Sequence, residues 1–392
     1  MRVVRTVKAI AKDYQYHKGI SNERQCCRLP ISDFPRRWEP NDGQLISARA
    51  TTESTPLASK LVFVDTGEPG LTRHRAGRGW AYFSPDGRRI TDRDEIDRLN
   101  AIALPPAYRD AWFCTRANGH LLATGIDARG RKQYRYHGDY RLSRECLKYD
   151  ALLQFGHALP AIRARVAKDL AGRKLTRDRA IASIVRLLDT GAIRIGNEAY
   201  ARDNKSFGAT TLRKRHASLT AKQLRLRFRA KSGQLREIDV DDRDLIRFAR
   251  AIQDLSGQHL FQFIDDSGEA CPVGSSDVND YLHTIAGEKF TAKHFRTWRA
   301  SVIALEALLE SDAHTGGAAL GKIVAERLGN TPAIARKSYI HPLLLALAKD
   351  SDAQAGLRGL RLPRATKWLS RYERALLSML EAAPGAAKLF AA

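Results

Sequence analysis

The chain has 392 residues, enough for two or three domains, and sets 66 Lys and Arg against 43 Asp and Glu for a formal net charge of +23. That excess is spread along the chain and points to a polyanionic partner, most often nucleic acid, while 43% hydrophobic content argues for a folded, enzyme-sized body over a basic tail. Cys26, Cys27, Cys114, Cys146 and Cys271 lack metal-ligand spacing, and no apolar run approaches the ~20 residues of a bilayer span.

Met1-Arg2-Val3-Val4-Arg5 is basic but has no long apolar core or cleavage site, so no signal peptide is expected and the cytoplasm is the default location. Residues 1–64 read as a polar, partly disordered extension, with Pro30, Pro35, Pro40 and Pro56. Its last residues, Leu61-Val62-Phe63-Val64, suit a short strand or a docked segment. Regular structure begins clearly near Gly79, where Trp80–Phe83 and Arg88–Thr91 flank the turn Ser84-Pro85-Asp86-Gly87. Thr91-x-x-Asp94 resembles a capping box for a short helix carrying Ile96, Leu99 and Ile102, which Pro105-Pro106 ends. Ala111–Cys114 and Leu121–Ile126 read as strands about Asn118-Gly119, and Arg131–His137 as another. Residues 65–140 therefore predict a small antiparallel β-sheet domain. In its last strand Gln133 and Arg135 face one way and Tyr134 and Tyr136 the other. Bases or phosphates could lie against that mixture; a solvated edge strand fits the pattern as well.

Residues 141–392 predict a mainly helical domain with one small hairpin, giving an α+β chain. Thr176 opens a helix with Ile181, Ile184, Val185 and Leu188 on one face. After Gly191, Arg194 stands between Ile193 and Ile195 and needs an anionic partner, either Glu198 or a substrate phosphate. Leu224–Arg229 alternates strictly and Arg236–Val240 returns from the turn Ala230-Lys231-Ser232-Gly233. An ammonium at that tip can close over a phosphate and donate a proton, although a solvated loop Lys is the ordinary case. Residues 243–263 predict an amphipathic helix, and Ser275-Ser276-Asp277 starts another. Thr291 opens a long helix with Phe295, Trp298, Val302, Leu305 and Leu309 inward, and Lys293 and Arg296 at its start. The next helix buries Leu320, Ile323, Val324 and Leu328. In Gly329-Asn330-Thr331-Pro332, Thr331 is an N-cap and Pro332 a first helical residue; Tyr339 follows about two turns on, beside Arg336 and Lys337. A Tyr among cations can attack phosphorus, whereas the plain alternative is a packed ring with a wet hydroxyl. His341-Pro342 discourages continuation, residues 347–364 read as a linker, and a last helix carries Leu369, Tyr372, Leu376, Met379 and Leu380.

From residue 65 onward the order of these motifs resembles the type IB DNA topoisomerases of the bacterial and poxvirus-like branch. The family's Arg-hydrophobic-Gly segment matches Arg194-Ile195-Gly196, and its hairpin Lys matches Lys231 in Arg-Ala-Lys-Ser-Gly. Lys-x-x-Arg-Thr-aromatic matches Lys293 to Trp298, and the Tyr ending Gly-His-Thr-Pro(x6)Tyr matches Tyr339. Each motif alone is weak; their order and number are specific. The resemblance implies a DNA breaking-rejoining fold with Tyr339 as nucleophile, Lys231 as acid, and Arg194, Arg296 and Asn330 on the phosphate oxygens. It implies DNA contacts at Gln133, Tyr134, Tyr136, Tyr200 and Lys293. Asn330 stands where viral and eukaryotic members have His; its amide can donate the same hydrogen bond, so activity is expected. The resemblance also implies a monomer clamped around double-stranded DNA in the bacterial nucleoid, with a 3′-phosphotyrosyl intermediate and no ATP, metal or other cofactor. A tyrosine recombinase would show His-x-x-Arg where this chain has Lys293-x-x-Arg296, and a non-catalytic basic binder would not need Tyr339.

Overall fold

The computed structural model describes residues 60–383 and 385–391. The residues 1–59 of the expected extension lie outside this range. The described chain forms two compact units that divide between Lys148 and Tyr149.

The first unit is a five-stranded antiparallel sheet in the order β2-β1-β3-β4-β5, from β1 (Leu71–Ala76), β2 (Gly79–Phe83), β3 (Arg109–Phe113), β4 (Leu121–Ile126) and β5 (Lys132–Tyr136). Four strands follow the sequence pattern, but β1 does not. Its sequence Leu-Thr-Arg-His-Arg-Ala buries only Leu71, although it pairs with both β2 and β3. Cation stacking replaces the missing apolar face: the Arg73 guanidinium lies 4.1 Å from the Trp80 ring and donates to the Leu104 carbonyl at 2.8 Å. Helix α1 (Arg93–Ala101) is capped by Asp92, whose carboxylate accepts from the Asp94 amide, and not by the expected Thr91. Leu71, Tyr82, Leu99, Leu104, Phe113 and Ala123 form the core. Leu61–Val64 is a docked segment, with Val62 bridged to Gly119.

Helix α2 (Gly138–Ala171) leads into the helical unit. Its centre is α7 (Ala292–Glu310), which follows α3 (Arg177–Gly191), α4 (Glu198–Asn204), α5 (Arg243–Ala251) and α6 (Ser275–Ala286). Phe295, Trp298, Val302 and Leu305 of α7 are buried, as the stripe predicts, while Leu309 at its end is half-buried. Gly156 makes room for the Trp298 ring: a Cβ there would lie 2.5 Å from it. One ion network crosses this core. Arg163 of α2 pairs with Asp189 of α3 at 2.7 Å and with Glu373 of the helix Arg371–Ala382 at 2.7 Å, and Trp298 Nε1 donates to Glu373 at 3.0 Å.

A three-stranded sheet, β6 (Ala217–Leu219), β7 (Leu224–Arg229) and β8 (Leu235–Val240), packs Leu224, Leu226 and Phe228 inward. Three expectations need correction. The helix expected over 243–263 stops at Ala251, and Gln262–Ile264 is a strand; Gly257, between them, takes a left-handed φ of 83°. The expected linker at 347–364 contains the helix Ser351–Arg358, capped by Asp350. As expected, the helix before His341-Pro342 does not continue; it ends at Ser338, and His341 caps a new one, Pro342–Leu347. Ile323, expected inward on α8 (Gly317–Leu328), is 37% exposed.

Candidate functional site

Five of the chemistry-bearing residues singled out from the sequence belong to four segments of the helical unit. Arg194 follows α3, which ends as Ala192 turns left-handed with φ 49°. Its backbone is fixed on both sides: the Ala209 amide donates to the Arg194 carbonyl at 2.8 Å, and the Thr210 amide to the Ile195 carbonyl at 2.7 Å. That approach needs Gly208, where a Cβ would meet Gly196 N at 2.5 Å.

The second segment is the corner between α8 and α9 (Pro332–Ser338). Gly329 adopts φ 62°, Asn330 N donates to the Ala325 carbonyl at 3.0 Å, and Thr331 caps α9 as expected. Tyr339 is the residue on which α9 ends, with φ −130°, and the adjacent Ile340 is fully buried. The third segment is the start of α7. Arg296 is 4% exposed and donates to the Ala192 carbonyl and, at 3.2 Å, to the Leu328 carbonyl. It thus bridges the Arg194 segment and the Tyr339 corner, and its guanidinium carbon lies 5.0 Å from the centre of the Tyr339 ring.

Arg194 Nη2 donates to Asn330 Oδ1 at 2.7 Å. A guanidinium only donates, so this contact fixes the amide orientation and leaves Asn330 Nδ2 as a donor. That Nδ2 and Arg296 Nε are both buried without a hydrogen-bond partner. Buried orphan donors are costly, and each calls for an acceptor that the described residues do not supply. Glu198, the internal alternative as partner for Arg194, pairs instead with Arg213 and, at 3.3 Å, with His259.

Charge explains the state of the phenol. Burial pushes the Tyr339 pKa up, but Arg296, then Arg194 and Lys231, outweigh it and leave it below the ordinary tyrosine value. Burial first and the Arg194 charge second lower Arg296 to about 10. Lys231 occupies the exposed tip between β7 and β8, where Ser232 and Gly233 take φ of 65° and 74°. A further cation escaped the sequence reading. Arg236 of β8 lies against Gly329, and burial, then Arg194, lower its pKa also. Nothing in the alternation of β8 distinguishes Arg236; only the fold brings it to the corner.

The remaining predicted contacts lie elsewhere on their own units. Lys293 is exposed in the first turn of α7, and Tyr200 of α4 is 46% exposed. In the sheet unit, Tyr134 and Tyr136 are 41% and 39% exposed and stack with their ring centres 6.0 Å apart. Gln133 donates to Asp127 at 2.9 Å. Among the described residues, no helix is long and apolar enough to cross a membrane.

Comparison with known proteins identifies the family. Residues 137–337 match the family described as the catalytic core of eukaryotic DNA topoisomerase I. Residues 79–127 match the N-terminal domain of bacterial DNA topoisomerase IB. DNA topoisomerase 1B of Acanthamoeba polyphaga mimivirus is 29% identical over 296 residues, covering 72% of this chain and 88% of the viral protein. DNA topoisomerase I of monkeypox virus is 22% identical over 304 residues, covering 69% and 91%. DNA topoisomerase 1B of vaccinia virus strain Copenhagen is 21% identical over 303 residues, again covering 69% and 91%. The catalytic-core match stops just short of Tyr339.

Proposed function

The chain belongs to the type IB DNA topoisomerases, and from that premise we propose how its own residues carry out the reaction. The activity is relaxation of supercoiled duplex DNA by transient cleavage of one strand, rotation and religation. The Tyr339 oxygen, having lost its proton to solvent, bonds to phosphorus while the bond from phosphorus to the 5′-oxygen breaks. Arg194, Arg296 and Asn330 hold the non-bridging oxygens as charge builds on them, donors of a kind worth about 3–4 kcal/mol each in the transition state. Lys231 gives its proton to the departing 5′-oxygen, a contribution of about 10²–10⁴-fold. The product is a 3′-phosphotyrosyl ester with a free 5′-hydroxyl. The ester conserves the bond energy, so the reverse attack reseals the strand without ATP, and side-chain cations supply the charge that a metal would otherwise bring.

The observation that carries this reading is the pair of buried, unpartnered donors: Asn330 Nδ2, on the amide held by Arg194, and Arg296 Nε, on the guanidinium that lies against the Tyr339 ring. We also propose that the enzyme works as a monomer closed around the duplex, with Gln133, Tyr134, Tyr136, Tyr200 and Lys293 on DNA. The match to a bacterial N-terminal domain favours the bacterial cytoplasm and its nucleoid as the setting. Relaxation of a negatively supercoiled plasmid in EDTA without ATP tests the chemistry. Relaxed topoisomers are expected; a strict requirement for ATP or a divalent ion refutes it.

A further inference from the structure

We infer that Arg236 is a positioning residue that ties the hairpin carrying Lys231 to the corner carrying Asn330. The inference rests on the catalytic roles proposed above. Lys231 sits on an exposed tip, and Ser232 and Gly233 beside it are both left-handed. A flexible ammonium there needs its hairpin anchored if its proton is to reach one particular oxygen. The cross-strand ion pairs Arg225–Asp239 and Arg227–Glu237 stay within the hairpin, and Leu224, Leu226 and Phe228 root its strands in the core, but none of these ties it to the corner that carries Asn330.

Arg236 supplies an anchor outside the hairpin. It stands on β8 opposite Phe228, just beyond the turn. Its Nη2 donates to the Arg327 carbonyl at 3.0 Å and its Nη1 to the Glu326 carbonyl at 3.4 Å. These carbonyls end α8, where the helix dipole favours a cation. The guanidinium then lies across Gly329. A Cβ at that position would be 2.6 Å from Arg236 Cδ and 2.9 Å from Nη1, so Gly329 serves both the left-handed turn and the passage of this side chain. The residue after Gly329 is Asn330. One side chain therefore connects the hairpin that carries the acid to the turn that carries a phosphate donor. Among the described residues no carboxylate pairs with Arg236, and Arg194 repels it, so burial of this cation beside two others is not explained by ion-pair stabilisation.

A sulfur leaving group separates a placement role from a direct phosphate contact. When the 5′-oxygen at the scissile bond is replaced by sulfur, the bond to phosphorus breaks with the sulfur leaving as thiolate, and no proton from Lys231 is needed. Single-turnover cleavage is measured with the full chain on duplexes of both kinds, at a site first mapped on a plasmid. Arg236→Ala is expected to cut the oxygen duplex roughly 10²-fold more slowly than wild type, within the range of a lost general acid. On the sulfur duplex it should fall within about threefold of wild type, as should Lys231→Ala. The double variant should be no slower on oxygen than Lys231→Ala alone, because both changes remove one function. Arg236→Lys, which keeps one donor, should be intermediate. Gly329→Ala, which displaces an intact Arg236, should also be rescued by sulfur. Thermal melts of each variant report folding separately. A slow Arg236→Ala that sulfur does not rescue, or one as fast as wild type on oxygen, overturns the inference. Failure of sulfur to rescue Lys231→Ala would instead remove Lys231 as the acid, and this inference with it.

Discussion

The helical unit buries guanidinium groups in two ways. Around Arg163 every charge is answered: Asp189 and Glu373 face it, and Trp298 completes the Glu373 carboxylate. Around Tyr339 Arg194, Arg236 and Arg296 crowd one another, and what they meet is carbonyl oxygens, an amide and a phenol. Burying a charge costs several kcal/mol unless a partner offsets it. The first cluster contains its partners and braces four helices. The second lacks them, and it holds the two orphan donors of the site. Among the described residues none supplies the missing anion, and a phosphodiester would bring both the charge and the acceptor oxygens.

Substitutions should separate the two clusters, beginning with the largest effect. Tyr339→Phe is expected to abolish plasmid relaxation while DNA affinity in a gel-shift titration stays within about twofold, because affinity rests on phosphate contacts. Loss of both together would place Tyr339 in binding. Arg296→Ala and Asn330→Ala should slow single-turnover cleavage by about 10²–10³-fold, whereas Asn330→His should remain active; total loss with His would show that the site is built for an amide. In the answered cluster the damage should be to stability. Glu373→Ala leaves Arg163 short of a partner and should cost about 3–5 kcal/mol in urea unfolding. Burial pushes the Glu373 carboxyl up, but Arg163 outweighs it and holds the group below its ordinary value. Its stabilising effect is thus present above the unfolded pKa of about 4.3 and lost as pH falls through the folded value. The acid-induced loss of stability should be smaller in Glu373→Gln. The smallest effect separates the clusters by sign. Arg194→Met relieves repulsion in the unanswered cluster, so without DNA it should be neutral or stabilising by up to about 1 kcal/mol while cleavage falls. A cost of several kcal/mol would mean that the cluster is structural.

How much of this was legible in the sequence depended on what each residue answers to. Local rules found helix starts at Thr176, Thr291 and Thr331, because a helix start is decided by the residues beside it. Alternation found β7, whose inward Leu224, Leu226 and Phe228 are all buried. The rules missed β1, where Arg73 stacks on Trp80 and takes the place of an apolar residue, since tertiary stacking leaves no period in the sequence. Arg194, Lys231, Arg296, Asn330 and Tyr339 were recognised by motif order. Which partners they take was not readable: Asn330 accepts from Arg194 across 136 positions, and Glu198 turns to Arg213 and His259. Arg236 has no motif at all and is found only where Gly329 makes room for it.

The central claim concerns one oxygen atom, and trapping the covalent complex tests it most directly. The full chain is incubated with duplex DNA, denatured during turnover, digested with nuclease and protease, and the peptides are weighed. A nucleotide joined through its 3′-phosphate to the peptide containing Tyr339, and absent from Tyr339→Phe, is the expected result. A nucleotide on another residue, or relaxation of the plasmid with no covalent adduct, would contradict the account.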